Sequence, residues 1–301
     1  MSGLCEGRVA IVTGAGRGVG RQHALQLARA GAKILVNDLG AAVDGSGIDF
    51  SPAQQVTDEI NASGGEAVVN GDDVSNFDGA KNMVDMAINT FGKLDIVVNN
   101  AGILRDRMLV NMTEEEWDAV IAVHLKGTFA SSRHAASYWR AMSKQNDDGK
   151  PIMGRIINTS STSGIYGNVG QSNYGAAKAG IAAFTIIAAR ELSRIGVTVN
   201  AISPSAYTRM TDNLREYTEE EIVVRDPSWV SPTVVYLAST EAQDITGRVI
   251  EAGAGQVAVC EGWRRGAEIG QMDDPVAIGP KIREMIGKVR KNSGMDGMEL
   301  D

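Results

Sequence analysis

The chain has 301 residues, 43% of them hydrophobic, and a formal net charge of −8. That is enough for one sizeable core, and the absence of any long basic run excludes a nucleic-acid-binding surface from the expectations. A charged fraction of 22% and only seven prolines argue against disorder, and no run approaches the roughly 18 apolar residues that signal a membrane-spanning helix.

Val9–Thr13 reads as a buried strand and Gly18–Ala30 as a helix with apolar residues at helical spacing. Lys33–Asp38 is a second strand, Pro52–Ser63 a helix and Ala67–Val69 a third strand. Asn76–Phe91 follows as a helix and Ile96–Asn99 as a strand. Glu114–Ala141 reads as one long helical pattern, opened by Thr113 ahead of Glu116 in a capping-box arrangement. Gln145–Gly154 is a polar loop, Arg155–Thr159 a strand, Asn173–Ile195 an Ala-rich helix and Thr198–Ile202 another strand. Continuous apolar strands alternating with helices predict an α/β fold, a doubly wound parallel sheet with ligands at the carboxyl ends of its strands. One domain spans residues 1–260. Residues 261–301 form a C-terminal extension, with a helix at Pro280–Val289 and a mobile end from Lys291. Cys5 and Cys260 have no metal-ligand spacing, and no secretory leader precedes Val9, so a reducing compartment without a bound metal is expected.

Thr13-Gly14-Ala15-Gly16-Arg17-Gly18-Val19-Gly20 lies between the first strand and the first helix. Glycines there let backbone N–H groups and a helix N-terminus approach a pyrophosphate. Asp38, at the end of the second strand, can accept both ribose hydroxyls of NAD and repels the 2′-phosphate of NADP. Arg17 pulls the other way, since a guanidinium in the turn can pair with that phosphate. NAD is the expected cofactor, because a like-charge clash is costlier than a spare cation.

Tyr174 and Lys178 are spaced i, i+4 on a predicted helix, so they share a face. A nearby ammonium stabilises a phenolate and is expected to bring Tyr174 toward a working pKa. A serine hydroxyl at the end of the Arg155–Thr159 strand can hold a carbonyl oxygen that Tyr174 protonates. On local grounds Ser160, Ser161 and Ser163 compete for that role.

The glycine turn, Asp73-Val74, Asn99-Asn100-Ala101-Gly102, Ser161 and Tyr174-x-x-x-Lys178 together resemble the short-chain dehydrogenase/reductase family over about residues 7–257. The resemblance implies a Rossmann-like fold, a Ser–Tyr–Lys centre and usually a homodimer or homotetramer. In that family the serine lies thirteen positions before the tyrosine, which selects Ser161. It also implies that Asp73 and Val74 flank the adenine. Asn99, Asn100, Ala101 and Gly102 then line the cofactor site, together with Gly14, Gly16, Arg17, Gly18, Val19, Gly20, Asp38, Tyr174 and Lys178. His124 stands where the family usually has an Asn in a proton relay, and imidazole can still pass a proton at neutral pH.

Val36-Asn37-Asp38-Leu39-Gly40, Gly102–Arg107, His124-Leu125-Lys126-Gly127 and Gly164–Asn168 narrow the resemblance, as do Pro204-Ser205-Ala206 and Glu251–Gly255. They are similar to the (3R)-hydroxyacyl-CoA dehydrogenase module of peroxisomal multifunctional enzymes, which also oxidises some 17β-hydroxysteroids. The long Gly40–Pro52 connection fits that group, whereas Arg17 replaces its usual small residue. The chain is expected to be a stand-alone, cytoplasmic version, since no Ser-Lys-Leu terminus is present. The expected reaction interconverts a secondary alcohol and a ketone, β to a thioester, beneath a cover formed by Ser205–Pro227. The alternatives are a hydroxysteroid or other hydrophobic alcohol as substrate, and a non-catalytic nucleotide-sensing protein.

Overall fold

The computed structural model describes residues 3–146, 149–212 and 216–300, so parts of the expected loop, of the expected cover and of the chain ends lie outside the described residues. The glycine turn joins β1 (Val9–Thr13) to α1 (Gly18–Arg29). Then come β2 (Lys33–Asn37), α2 (Ser51–Ala62), β3 (Ala67–Asn70), α3 (Phe77–Phe91) and β4 (Ile96–Asn99). The second half runs α4 (Glu114–Ile121), α5 (Gly127–Gln145), β5 (Arg155–Thr159), α6 (Thr162–Ile165), α7 (Ser172–Leu192) and β6 (Thr198–Ser205). It ends with α8 (Glu219–Val224), α9 (Ser231–Ala238), β7 (Val249–Gly253), β8 (Gln256–Val259) and α10 (Pro275–Ile286).

The eight strands form one sheet in the order β3-β2-β1-β4-β5-β6-β7-β8, parallel except for the β7–β8 pair. This is the expected doubly wound architecture, and it explains why the strands read as unbroken apolar runs. Successive side chains of a strand point to opposite faces, and both faces are covered. Ala10 and Val12 join Ile34, Val36 and Val98 in a layer with α1, α2 and α9. Val9 and Ile11 join Leu35, Val97 and Ile156 in a layer with α3, α5 and α7. The strand order reverses between β1 and β4, and ligand crevices form at the carboxyl ends of strands at such a point. Thr13 fastens the crevice's base: its Oγ1 accepts from the backbone N–H of Asn100 at 2.9 Å and of Ala101 at 3.0 Å.

Three local departures have physical reasons. The helical pattern expected over Glu114–Ala141 is split by a π turn at Ala122–Lys126, centred on His124. Such single-turn insertions are defined by i→i+5 backbone hydrogen bonds, which the residue pattern does not display. The strands β7 and β8 were not expected, because Val249–Gly253 is short, carries Glu251 and ends on glycine. Pairing with β6, in the register Ala201↔Val249, imposes the strand instead. The C-terminal helix starts earlier than Pro280: Asp274 caps it by accepting from Val276 N–H at 2.8 Å, Pro275 occupies the first turn, and Pro280 is carried inside. The expected capping box is present, with reciprocal Thr113–Glu116 bonds of 3.2 and 3.0 Å.

Candidate active site

At the nucleotide end, α1 begins at Gly18 with Arg17 as N-cap, no side-chain capping bond and no acidic residue in its first turn. Its exposed N–H dipoles are therefore available to an anion. The turn is held tightly enough that a Cβ on Gly20 would lie 2.1 Å from the Gly14 carbonyl oxygen, so only glycine fits. Asn100 secures the same turn, its Nδ2 donating to the carbonyls of Thr13 at 3.0 Å and Gly14 at 3.2 Å. Asp38 sits beside the turn, accepting from Gly16 N–H at 2.7 Å on one oxygen and from Gly40 N–H at 2.6 Å on the other. A glycine cradle closed by a carboxylate, with an uncapped helix end between them, fits a dinucleotide.

Just beyond β3, Asp73 accepts from Ser75 N–H at 2.8 Å, and Val74 is buried against Gly127 at the start of α5. Asn99 departs from expectation. Its buried side chain is spent on Ser131, Ser132 and Asn158, bracing β4 against β5 and α5. Gly102 lies against the His124 ring.

At the chemical end, the three candidate serines separate by geometry. Ser160 is fully buried and donates to the Lys178 carbonyl at 3.0 Å, while Ser163 lends its N–H to Ser161 Oγ at 3.2 Å. Ser161 alone is hydrogen-bonded to the Tyr174 side chain. Lys178 Nζ donates to the Thr159 carbonyl at 2.6 Å and lies 5.4 Å from the centre of the Tyr174 ring. The i, i+4 pair and the strand-end serine thus meet at the carboxyl end of β5. Tyr166, closing α6, ties the Ser161 turn to β7 by donating to Glu251 at 2.5 Å.

The electrostatics differ from the expectation. Burial pushes Tyr174 up to about 12; the Ser161 hydrogen bond opposes this and the charge of Asp106 adds to it. Burial likewise pulls Lys178 down to about 7. The ammonium therefore does not lower Tyr174 as the spacing suggested, because desolvation dominates both groups.

His124 needs a second correction. It is buried, and desolvation, aided by the charge of Lys178, holds it near 3. Its Nε2 lies 2.8 Å from the Ile103 carbonyl and 3.0 Å from the Ile103 N–H, so one tautomer serves one of these at a time. Nδ1 is buried without a partner. A ring held neutral, with a backbone amide on one nitrogen, is a poor proton carrier. The His124 and Tyr174 rings pack edge to face with their centroids 5.1 Å apart.

Sequence reasoning missed Asn173, which sets the start of α7. Its side chain is fully buried; Nδ2 donates to the carbonyls of Arg105 at 2.9 Å and Glu116 at 3.0 Å, while Oδ1 accepts from Tyr174 N–H at 2.7 Å. Asp106 was also missed, and it accepts from Gln171 at 2.7 Å. No capping signal marks Asn173, since Gln171 is the N-cap of α7 and makes no side-chain capping bond.

A family model described as short chain dehydrogenase matches residues 8–221. The hydroxyacyl-CoA dehydrogenase ChsB1 of Mycobacterium tuberculosis is 44% identical over 289 residues, covering 92% of this chain and 88% of that protein. The peroxisomal multifunctional enzyme type 2 of Drosophila melanogaster is 45% identical over 277 residues, covering 91% of this chain but only 44% of that longer protein. Among solved structures, a short chain dehydrogenase from Mycobacterium avium superposes with a TM-score of 0.86 at 50% identity, covering 99% of this chain and 100% of that one. The matched span contains the glycine turn, Ser161, Tyr174 and Lys178, and the chain belongs to the short-chain dehydrogenase family of oxidoreductases, which act on CH–OH groups with a nicotinamide cofactor.

Proposed function

We propose that the protein is an NAD-dependent dehydrogenase that interconverts a 3-hydroxyacyl-CoA and its 3-oxoacyl-CoA. The observation that carries the reaction is the meeting of Ser161, Tyr174 and Lys178 beside the crevice that holds the glycine turn. The substrate class is supported by the names of the relatives, a hydroxyacyl-CoA dehydrogenase and a peroxisomal multifunctional enzyme. NAD is supported by Asp38, whose carboxylate stands at the ribose end of the cradle.

In the oxidative direction Tyr174 Oη takes the proton of the substrate hydroxyl, and in the reductive direction it returns it. Ser161 Oγ donates to the same oxygen as it becomes a carbonyl. Lys178, anchored on Thr159, would hold the ribose of a bound cofactor, and its protonated fraction would add positive charge beside Tyr174. The oxidised nicotinamide, when bound, supplies the hydride acceptor and a further positive charge that favours the phenolate. His124 holds the Tyr174 ring in place, and Asn173 holds its backbone.

The test is NADH formation from (3R)- and (3S)-3-hydroxybutyryl-CoA with the wild type and with Tyr174→Phe, which should lose about 10²–10⁴-fold in turnover. A Tyr174→Phe enzyme that keeps its turnover overturns the mechanism. A hydroxysteroid or other hydrophobic alcohol is a second reading, favoured by the edge-to-face pair Tyr207–Tyr217 at 5.2 Å and by exposed Trp229 in the segment after β6. Relative kcat/KM on acyl-CoA and free steroid decides between them. Any steady turnover excludes the nucleotide-sensing reading. Self-association is supported by the exposed apolar side chains Val257, Val259 and Trp263 on and beyond β8, and a light-scattering mass of one chain counts against it.

A further inference from the structure

The cofactor end carries two opposed charges, and the connection between β2 and α2 decides how they act. Asp38 is clamped by the N–H groups of Gly16 and Gly40, so its carboxylate is fixed in place. Arg17, in the same turn, is the one group there that attracts a 2′-phosphate by charge. Its guanidinium is turned to Asp49, with Nη2 3.6 Å from Oδ2. Arg21, one turn further along α1, is likewise paired, with Glu59 of α2.

Asp49 is not a chance neighbour. Its other oxygen accepts from Ser51 N–H at 3.0 Å at the start of α2, and its own N–H donates to the Leu39 carbonyl at 3.0 Å. Gly40, at φ +68°, lets the returning chain pass so close that a Cβ would sit 1.5 Å from the Asp49 carbonyl oxygen. The middle of the connection is strapped to the segment after β4: Leu104 N–H donates to the Val43 carbonyl at 2.9 Å, and Arg105 Nε to the Asp44 carbonyl at 2.9 Å. Asp49 is therefore delivered to Arg17 by a built loop fixed at both ends and in the middle.

We propose that Asp49 is a cofactor-specificity residue: it occupies the Arg17 guanidinium, so that Arg17 does not recruit a 2′-phosphate. The inference rests on the NAD reading above. It also explains how an arginine in the turn is compatible with NAD: the long Gly40–Phe50 connection brings its counter-charge. Asp49 acts through Arg17 rather than by touching the dinucleotide, so it is a positioning residue.

The test is calorimetric binding of ADP-ribose and 2′-phospho-ADP-ribose to the whole protein, which needs no turnover. Asp49→Asn keeps an oxygen to cap Ser51 N–H while removing the charge, and Asp49→Ser provides an independent second variant. Each should reduce the preference for ADP-ribose over its 2′-phosphate by about two- to fivefold, the scale of one half-exposed ion pair. The gain should vanish in Arg17→Ser/Asp49→Asn and shrink as salt is raised. A wild type that binds both ligands equally overturns the NAD reading itself. A wild type that discriminates, but keeps its ratio in both Asp49 variants, overturns only the role of Asp49. A gain that survives removal of Arg17 also overturns it, since the effect would then be a general change of charge.

Discussion

Lys178 is an ammonium held in the interior for chemistry at a cost in stability, and replacing it by Met should reveal that cost. It is 2% exposed and donates to the Thr159 carbonyl at 2.6 Å. Its pKa falls from an ordinary 10.5 to about 7, a shift worth about 5 kcal/mol against the charged form. The unfolded chain binds the proton up to pH 10.5 and the folded chain only to about 7. Native stability therefore rises with pH across that window, and the penalty is full below pH 7. Met fills a similar volume without charge, but it leaves the Thr159 carbonyl unpaired, at about 1–3 kcal/mol. Desolvation wins at low pH: Lys178→Met should be more stable than wild type by about 2–4 kcal/mol at pH 6. By pH 10 less than about 1 kcal/mol of the penalty remains, so the order should reverse. Urea unfolding at pH 6, 8 and 10 without added nucleotide reads this directly. A difference that does not change with pH would refute the reasoning, whatever its sign.

Asn173→Ala removes three hydrogen bonds of a fully buried side chain, and should destabilise the protein by about 3 kcal/mol. Its kcat should fall further than its KM rises, because the Tyr174 backbone loses its anchor; unchanged kinetics in a folded variant would count against that role. Since His124 is held neutral down to about 3, wild type and His124→Asn should have kcat/KM profiles of the same shape between pH 5 and 8. Loss of a limb near 6.5 in the variant would restore His124 as a proton carrier. Ala254, at φ +50° in the β7–β8 turn, is strained for a residue with a Cβ. Ala254→Asn, which makes an Asn-Gly turn, should stabilise by about 0.5–1 kcal/mol in the same unfolding assay.

The strands β1, β2 and β4 were legible because their apolar runs, Val9–Val12, Ile34–Val36 and Ile96–Val98, are covered on both faces. β7 and β8 were not, since they depend on β6 for a partner and half of their side chains are polar or small. The π turn at His124 was invisible for another reason. It is defined by i→i+5 backbone hydrogen bonds over a single turn, which only the backbone reveals. The candidate site was legible where it depends on order along the chain: the glycine turn after β1, Asp38 after β2, Ser161 after β5 and the Tyr174–Lys178 spacing on α7. Asn173 was not, because an asparagine inside a helix declares its role only through the carbonyls of Arg105 and Glu116, which are distant in sequence.

The sign of the electrostatics was the hardest part to read, and it changes how the site works. Spacing alone makes Lys178 the group that activates Tyr174, because charges are imagined in water. Burial reverses this by driving each residue toward its neutral form, Tyr174 to about 12 and Lys178 to about 7. At neutral pH these residues by themselves hold a neutral phenol beside a lysine that has lost about half of its protons, not an ion pair. A phenolate becomes affordable only when more positive charge enters the same pocket, which ties proton transfer at Tyr174 to the arrival of its partner in the reaction. The pH at which turnover rises with bound cofactor should therefore lie well below 12. A kcat profile that rises only as Tyr174 titrates near 12 would mean that neither Lys178 nor the entering charge activates the phenol, and would refute this account.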